Sequence, residues 1–228
     1  ESRGLGDVYK RQSYGGHDNE PEGDFASGDG TQNNPYVIAN TTHIQNMSKV
    51  LIGKQTTYFV LSADIDMQGI KWTPLNGDGP YEKWIIFDGR NHVIRNLTCD
   101  SGSYPSFFGV LCGECKNVGF VDANISSTNQ GIGIIAGYVG LNSGAVGFTG
   151  KIINCYTTGI LKGSGAAGGI GGIFGGNGRI ENCYTTATII DQINADNGKA
   201  GGIIGRFHAG NTTSYIENCY VSGDISAT

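Results

Sequence analysis

The sequence predicts an all-β protein built as a parallel β-solenoid, and two repeating phrases carry this prediction. An Asn-Cys-Tyr phrase preceded by isoleucine occurs three times, and a glycine-rich phrase precedes each copy. The asparagines are 28 and 36 residues apart while the glycine phrases start 38 and 30 apart, so the connecting loops absorb insertions. Weaker copies at residues 109–120 and 94–97 would bring the array to about four repeats, enough to bury a shared core by stacking. The clear copies are residues 153–156, 180–184 and 216–220, and the glycine phrases are residues 133–137, 171–175 and 201–205.

Each Asn-Cys-Tyr phrase is expected to bend at its asparagine. Ile180 and Cys183 are both apolar but lie three residues apart, which strict strand alternation would place on opposite faces. Asparagine tolerates left-handed backbone geometry, so a bend at Asn182 lets both side chains point inward. Tyr184 and Glu181 would then point outward. Stacking predicts an inner cysteine column, a corner asparagine ladder and an outer tyrosine column: Cys155, Cys183 and Cys219; Asn154, Asn182 and Asn218; Tyr156, Tyr184 and Tyr220.

Composition excludes several classes of function. The formal net charge of -5 and the lack of any Lys/Arg cluster argue against nucleic-acid binding. No apolar run approaches the roughly 18 residues of a membrane-spanning helix. Gly numbers 39 but Pro only five, and aromatic and aliphatic residues recur within the glycine-rich stretches, so the pattern indicates packed structure rather than collagen or disorder.

The chain divides into three segments. Residues 1–12 resemble translated sequencing-adapter sequence, and polar residues 13–30 are typical of a disordered linker, so residues 1–24 are left out of the folded unit. Residues 25–100 form an N-terminal lead-in or cap, and residues 101–228 form the repeat array. No signal peptide is visible, and the last strand has no polar cap, so the chain is expected to be part of a longer protein.

The lead-in is expected to hold one amphipathic helix and several short strands. Residues 42–45 have capping-box form, and an apolar face at Ile44, Met47, Val50 and Leu51 predicts a helix near residues 42–52. Short β-rich runs follow at residues 58–61, 65–67, 84–87 and 92–97, each bounded by turn residues.

Cysteine spacing raises a metal or redox hypothesis. Rungs of a solenoid lie about 4.8 Å apart, and parallel side chains keep their Cβ atoms near that spacing, wider than a disulfide prefers. The column cysteines are therefore interpreted as small buried hydrophobes. Cys112 and Cys115 have half-zinc spacing, but no second Cys/His pair accompanies them, and Cys112 aligns with the packing slot of Ala136, Phe174 and Ile204. We expect no metal and no cofactor.

Three further sets of residues are candidate sites. Asp64, Asp66 and Asp88 could be metal ligands or a glycosidase carboxylate pair, but turn and capping roles are favoured. The four histidines (His17, His43, His92, His208) lack ligand spacing. The outer tyrosine column could stack on sugars or on a protein, although a purely structural ladder in which each ring covers the next is favoured.

The chain resembles the GLUG-repeat family of bacterial surface and secreted proteins. The resemblance rests on the Gly-Gly-hydrophobic-x-Gly and Asn-Cys-Tyr phrases. It also rests on lead-in phrases at residues 28–36, 58–67, 72–75 and 87–94, which resemble those found before such repeats in Bacteroidetes surface proteins. It covers roughly residues 25–228. It implies a right-handed parallel β-helix used at the cell surface as an adhesin-like or accessory module, including on immunoglobulin A peptidases, and it supplies no catalytic residues.

Two functional hypotheses follow. The first is a non-enzymatic cell-surface or extracellular β-solenoid that binds or displays, with a glycan or a host protein as ligand. The second is a carbohydrate-active β-helix, such as a polysaccharide lyase or hydrolase, with a site near Asp64, Asp66 and Asp88. At least two carboxylates and a base meeting in one open groove would favour the second.

Overall fold

The structure is a computed structural model that describes residues 23–77, 83–128, 131–143, 146–191, 199–208 and 214–227. The adapter-like segment 1–12 and the linker up to residue 22 lie outside these residues. No helix within these ranges is long and apolar enough to cross a membrane.

The described chain is predominantly β-structure. It contains one α-helix, α1 (Thr41–Asn46), continued by a 3₁₀ turn (Met47–Val50). The strands of the first half are β1 (Tyr36–Ile38), β2 (Thr56–Leu61), β3 (Ile65–Asp66), β4 (Trp84–Asp88), β5 (Val93–Arg95), β6 (Thr98–Cys99), β7 (Phe108–Lys116), β8 (Gly119–Ser127), β9 (Gly131–Gly133), β10 (Ala136–Val139), β11 (Leu141–Ser143) and β12 (Val146–Phe148). Those of the second half are β13 (Gly150–Ile153), β14 (Tyr156–Gly163), β15 (Ala166–Gly168), β16 (Gly171–Phe174), β17 (Arg179–Glu181), β18 (Tyr184–Thr185), β19 (Thr188–Asp191), β20 (Lys199–Gly201), β21 (Ile204–Phe207), β22 (Tyr215–Glu217), β23 (Tyr220–Val221) and β24 (Ile225–Ala227).

The sheets are parallel, as the repeats predict. Equivalent strands of successive repeats pair with one another, and among the described strands only the inserted hairpin β11–β12 is antiparallel. One sheet runs β1-β2-β4-β7 and continues along two paths, β10-β16-β21 and β13-β17-β22. A second runs β3-β5-β8-β14-β18-β23, with β19 and β24 on the far half of β14, and a third joins β9, β15 and β20. Each repeat visits these sheets in the same order.

The register aligns the Asn-Cys-Tyr phrases but corrects the alignment of the glycine phrases. Ile152, Ile180 and Ile216 are direct strand partners. Gly133, by contrast, pairs with Gly168, which pairs with Gly201, so the predicted start at Gly171 is three residues late. The stretch at residues 168–174 contains Gly-Gly-Ile twice, and either copy satisfies the phrase. The true spacings are therefore 35 and 33 residues, more regular than the sequence indicated.

Outside a smaller buried cluster of Val110, Cys112, Tyr138, Ala166 and Ile173, alternation along the strands fills one large interior. Aliphatic side chains dominate its repeat half, while aromatic rings concentrate near the first repeat. There the Trp72 and Phe107 rings stack in parallel at 4.9 Å between centroids, and Phe107 also meets Phe108 edge to face at 4.7 Å. Trp72 Nε1 donates to the Phe107 carbonyl oxygen, so the one polar atom of the indole is satisfied in the interior.

The helix forms where the apolar pattern predicts it, with a different N-cap. Ile44 and Met47 are buried. The capping side chain is that of Asn40, whose Oδ1 accepts from His43 N at 2.9 Å, so the predicted capping box beginning at Thr42 is wrong. Asparagine is at least as good an N-cap as threonine, and its position starts the helix at Thr41.

The predicted linker also ends earlier than residue 30. Phe25 stacks on Tyr36 at 4.3 Å between ring centroids, and Ala26 N donates to the Val37 carbonyl oxygen. Asp29 and Gly30 both donate backbone N–H groups to the Asn34 carbonyl oxygen. A single phenylalanine in a polar stretch is a weak sequence signal, although it is enough to anchor this segment to β1.

Candidate functional site

The structure joins the corner asparagines into one hydrogen-bonded row. Asn218 Nδ2 donates to Asn182 Oδ1, and Asn182 Nδ2 donates to Asn154 Oδ1, both at 3.2 Å. The row extends beyond the three predicted residues, because Asn154 Nδ2 donates to Asn117 Oδ1 at 3.1 Å. Asn117 Nδ2 in turn donates to Asp88 Oδ1, also at 3.1 Å. Asp88 thus ends the row as a pure acceptor.

Backbone conformation explains why asparagine occupies these corners. Asn117, Asn154, Asn182 and Asn218 all have φ between 51° and 54°, in the left-handed region. Asparagine adopts this region more readily than other residues with a Cβ atom, and its amide can donate to one neighbour and accept from another. Asn96, also with positive φ, belongs to a different corner, where its Nδ2 donates to Asp66 Oδ1 at 2.7 Å. The sequence phrase at residues 94–97 is therefore not an earlier copy of this row.

The three column cysteines follow one another on the interior side of this corner. Cys155 N donates to Cys183 Sγ at 3.4 Å, and Tyr220 N donates to the Cys183 carbonyl oxygen at 3.2 Å. Cys155 and Cys183 are buried, while Cys219 in the last described repeat is half-buried. None of the six cysteines forms a disulfide. Burial raises the pKa of Cys155 well above its ordinary value, which leaves the thiol protonated and unreactive.

Cys112 and Cys115 belong to two separate buried clusters. Both are buried, and burial raises the pKa of Cys112 to about 12. Cys115 pairs in register with Ile152, so it occupies an interior aliphatic row. Cys112 does not share a slot with Phe174, because the strand register puts Leu111 in that row. No group of three or more potential metal-binding side chains occurs in the described ranges.

The tyrosines form a continuous stack on the outer side of β14, β18 and β23. The Tyr156 and Tyr184 rings lie 5.1 Å apart with planes inclined by 6°, and Tyr184 and Tyr220 lie 5.1 Å apart at 9°. The row continues to Gly119, where a Cβ atom would approach the Tyr156 ring to 2.2 Å. The ring of Tyr156 therefore takes the space that a side chain at position 119 would fill.

This stacking limits what the tyrosine row can bind. A sugar stacks on the face of an aromatic ring, whereas the rings here cover one another's faces and present edges and hydroxyls. The geometry favours the structural ladder, and the predicted binding role of Tyr156, Tyr184 and Tyr220 stays a prediction.

Of the three candidate aspartates, Asp64 meets basic side chains on an exposed outer surface. Asp64 Oδ1 lies 3.2 Å from His92 Nδ1 and accepts from Val93 N at 3.1 Å, while Asp64 Oδ2 lies 3.9 Å from Arg95. Asp66 accepts from Asn96 Nδ2 and from the backbone of the next turn. Asp88 has other partners, the asparagine row and Arg90 N.

The pKa directions restrict the chemistry of this cluster. The Val93 N–H holds the pKa of Asp64 below its ordinary value, and the Asn96 amide does the same for Asp66. A glycosidase needs one carboxylic acid whose pKa is raised so that it can protonate the leaving group. Both carboxylates are instead ionised near neutral pH, which weighs against the hydrolase alternative at this place.

A second outer surface, which the sequence interpretation missed, runs across β2, β4, β7, β13, β17 and β22. We call it the charged face. Interior residues alternate with two outward rows, one reading Tyr58, Ile86, Glu114, Lys151, Arg179 and Tyr215, the other Val60, Asp88, Lys116, Ile153, Glu181 and Glu217. With about 4.8 Å between strands, the six strands span about 24 Å.

Ion pairs link the two rows of the charged face. Lys116 Nζ lies 2.9 Å from Glu114 Oε1, and Arg179 pairs with Glu181. The Arg179 guanidinium also lies over the Tyr215 ring, 5.3 Å from its centroid. Glu181 faces outward as predicted, and these neighbours bury its side chain. Outward side chains on a flat sheet can bury one another, which period-two alternation does not reveal.

At the β1 end of the charged face lies a cleft of about 380 Å³. Its floor is the outer side of β2 and β4, with Tyr58 and Ile86, and one wall is the loop carrying Gln32 and Asn33. Asp88, Arg90 and Lys116 line the opposite side. Of these residues only Asp88 was singled out from the sequence. A polar turn of the form Asp-Gly-Arg-Asn directly after a strand was the available signal.

Comparison with known proteins gives one informative relationship. The crystal structure of a putative immunoglobulin A1 protease from Bacteroides ovatus superimposes with a TM-score of 0.83 at 53% sequence identity. The match covers 88% of this chain and 60% of the other, so this chain spans about three fifths of that protein's length. No protein-family model and no curated protein matches the chain. The chain is therefore similar to a Bacteroides protein over most of its length, while its GLUG-repeat membership stays a prediction.

Proposed function

We propose that the chain is a right-handed parallel β-helix module of a secreted or cell-surface bacterial protein, and that it binds or displays rather than catalyses. Every repeat visits the same sheets in the same order, and parallel crossovers are right-handed in nearly all proteins. In this proposal residues 25–100 are the lead-in and cap, with Ile44 and Met47 covering the first strands, and residues 101–228 are the array of GLUG-type repeats.

The charged face is the observation that carries the binding proposal. It is an extended surface of charged and aromatic side chains, held in rows by strand register rather than by flexible loops. Preorganised side chains lose little conformational entropy when a ligand arrives. An extended ligand, such as a glycan chain or a segment of a host protein, would cross several repeats at once.

The similarity to the Bacteroides ovatus protein supports the proposed setting. Its description as a putative immunoglobulin A1 protease concerns a longer chain, of which this chain covers 60%. We therefore propose an accessory role beside any catalytic domain. Incubation with immunoglobulin A1 should leave its heavy chain intact on a denaturing gel, and fragments of defined size would contradict a non-enzymatic module.

An array of glycans and extracellular-matrix proteins tests the binding proposal. We expect dose-dependent retention of at least one ligand class, and we expect Lys151→Glu to weaken it because Lys151 lies in the middle of the charged face. Lys162→Glu is the matched control, since Lys162 is an exposed lysine on a different sheet. Equal loss in both variants, or no retention by the unaltered chain, would contradict binding through this face.

A carbohydrate-active module is the second candidate, supported by the cluster of Asp64, Asp66, His92 and Arg95. A polysaccharide lyase needs a base near a cation that neutralises a sugar carboxylate, and this cluster contains both kinds of group. Incubation with acidic polysaccharides would release unsaturated products that absorb ultraviolet light. Activity abolished by Asp64→Asn would establish this candidate in place of the first.

A further inference from the structure

The cleft at the β1 end of the charged face is a preformed site. The Tyr58 backbone N–H donates to the Gly30 carbonyl oxygen at 3.0 Å, which ties the wall loop to the floor strand. Asp29 Oδ1 holds the same loop by accepting from both the backbone and the hydroxyl of Thr31. One hydrogen bond thus joins the loop to the floor, and two more hold the loop in shape. At about 380 Å³, the cleft lies within the size range of small-ligand sites.

Arg90 has a left-handed backbone conformation that Gly, Asn and Asp adopt more readily than Arg. Arg90 and Asn91 have φ of 48° and 66°, and His92 N donates to the Gly89 carbonyl oxygen, which makes this a type I′ turn. Both central positions of that turn favour Gly, Asn or Asp, because other side chains meet steric resistance at positive φ. The turn is held by Asp88 Oδ1, which accepts from Arg90 N at 2.9 Å. An arginine at this unfavourable backbone position points to a use for its side chain.

The Arg90 side chain reaches the cleft with its charge available. It is exposed, lines the cleft, and makes no ion pair with any residue that the structure describes. Lys116, the other cation of the cleft, is already paired with Glu114. A guanidinium presents parallel N–H donors that match a carboxylate in two hydrogen bonds.

We propose that this cleft binds a carboxylate-bearing sugar unit of a glycan, with Arg90 holding the carboxylate and the Tyr58 ring supporting the sugar. The inference rests on the proposed binding function and names the ligand class for one end of the charged face. Gln32 and Asn33 supply amide donors and acceptors for hydroxyl groups, and Asp88 supplies a further acceptor.

The mixture of groups distinguishes this ligand from other anions. A phosphate or sulfate group would meet the negative charge of Asp88 without giving it a hydrogen to accept. The carboxylate of a sugar acid can pair with Arg90, its hydroxyls can donate to Asp88, and its ring can lie on the half-buried floor of Tyr58 and Ile86. The wall amides of Gln32 and Asn33 can also hydrogen-bond to the hydroxyls.

Calorimetric titration with three probes tests the proposal: sialyllactose, trigalacturonate and, as the neutral comparison, lactose. We expect the carboxylated probes to bind more tightly than lactose, and the stronger of the two identifies the source of the sugar acid. Arg90→Asn should weaken both by at least about tenfold, the effect of losing a charged hydrogen-bonded pair. Lys162→Asn is the matched control, because it removes an exposed cation on a different sheet, outside the cleft, and should leave binding unchanged.

Thermal melting separates loss of binding from loss of fold. Asn suits the left-handed turn better than Arg, so Arg90→Asn should melt at or above the temperature of the unaltered chain. Should it melt lower, Tyr58→Leu decides, since it keeps the apolar floor but removes the aromatic ring and should weaken binding of the same probes. The proposal would be overturned if the carboxylated probes bind no better than lactose. It would also be overturned if Arg90→Asn, or Tyr58→Leu where Arg90→Asn melts lower, binds these probes as tightly as the unaltered chain. If Lys151→Glu still weakens binding of the ligands found on the array, the proposed binding function stands and only the cleft proposal fails.

Discussion

The hydroxyl groups of Thr157 and Thr185 lie 2.7 Å apart in the interior, on neighbouring strands of successive repeats. Thr157 Oγ1 donates its hydrogen to the Gly169 carbonyl oxygen at 2.9 Å, so Thr185 donates to Thr157. Ala187 N completes the chain by donating to Thr185 Oγ1 at 3.1 Å. Two buried hydroxyls are thereby satisfied with no water.

Replacing either threonine by valine should break this chain at a measurable cost. Thr157→Val leaves the Thr185 hydroxyl without an acceptor for its hydrogen and removes the hydroxyl that donates to the Gly169 carbonyl oxygen. Each single variant should lose about 1–3 kcal/mol of unfolding free energy. The double variant should cost less than the sum, because the two hydroxyls are removed together. Urea unfolding measures all three, with exposed Thr186→Val as a near-neutral control. Strict additivity would contradict the coupling.

The asparagine row predicts different outcomes for two substitutions at one position. Asn182→Ala removes two side-chain hydrogen bonds and places at φ 51° a residue that tolerates the left-handed region less well than asparagine. It should therefore destabilise the fold by about 2–3 kcal/mol. Asn182→Gly keeps the left-handed conformation and loses only the hydrogen bonds, about 1 kcal/mol. Denaturant midpoints of the two variants check the order. A glycine variant less stable than the alanine variant would mean that backbone geometry is not what selects asparagine.

The tyrosine stack predicts a loss of stability rather than a loss of binding. Replacing Tyr156, Tyr184 and Tyr220 together with Ser removes two ring pairs, each worth about 0.5–1.5 kcal/mol. We expect a lower melting temperature and unchanged affinity per folded molecule for any ligand found on the array. Reduced affinity at full stability would instead establish the tyrosines as the binding row.

Asp64 should contribute to acid sensitivity. Its pKa is lowered in the folded state, chiefly by the Val93 N–H and also by His92 and Arg95, so its contribution is present above the ordinary value of 3.8. That contribution is lost as pH falls through the lower folded-state pKa. The stability difference between the unaltered chain and Asp64→Asn should therefore shrink in acid below pH 3.8. Unfolding curves at neutral and acid pH measure it, and a difference independent of pH would refute the pKa direction.

Thiol exposure predicts selective alkylation. Cys219 is half-buried and the other five cysteines are buried, and burial raises the pKa of Cys219 as well. Iodoacetamide at neutral pH should therefore modify the folded protein slowly and at Cys219 alone, and all six cysteines should react in denaturant. Peptide mass spectrometry locates the adducts, with Cys219→Ser as the unreactive control. Fast labelling of Cys112 or Cys115 would reopen the redox hypothesis.

The parallel sheets could be predicted because the repeated phrase places the same residue types at the same corner of every repeat. A phrase containing Ile, Asn, Cys and Tyr in fixed order allows few backbone paths, and Asn182 supplies the bend that reconciles Ile180 with Cys183. The glycine phrases were less informative, since glycine offers no side chain to fix a register. Gly168 and Gly171 are indistinguishable in sequence, and only strand pairing separates them.

The cleft could not be predicted for a physical reason. Its floor comes from strands β2 and β4, and its wall comes from a loop about 25 residues before Tyr58. Tyr58 and Ile86 look like ordinary strand residues until register makes them neighbours. The aspartate cluster was easier to predict from the sequence, because Asp64 and Asp66 share a strand face. The lowered pKa values of these carboxyl groups were not predictable, because they depend on contacts with Val93 N and Asn96.

Pairing between successive repeats has a mechanical consequence. Ile180 pairs with Ile152 of the preceding repeat and with Ile216 of the following one, so each repeat is held by its two neighbours. Pulled from its two ends in a force spectrometer, such a chain should release its repeats one after another, giving a sawtooth of small steps. The proposed surface module could in this way lengthen under shear while the remaining repeats stay folded.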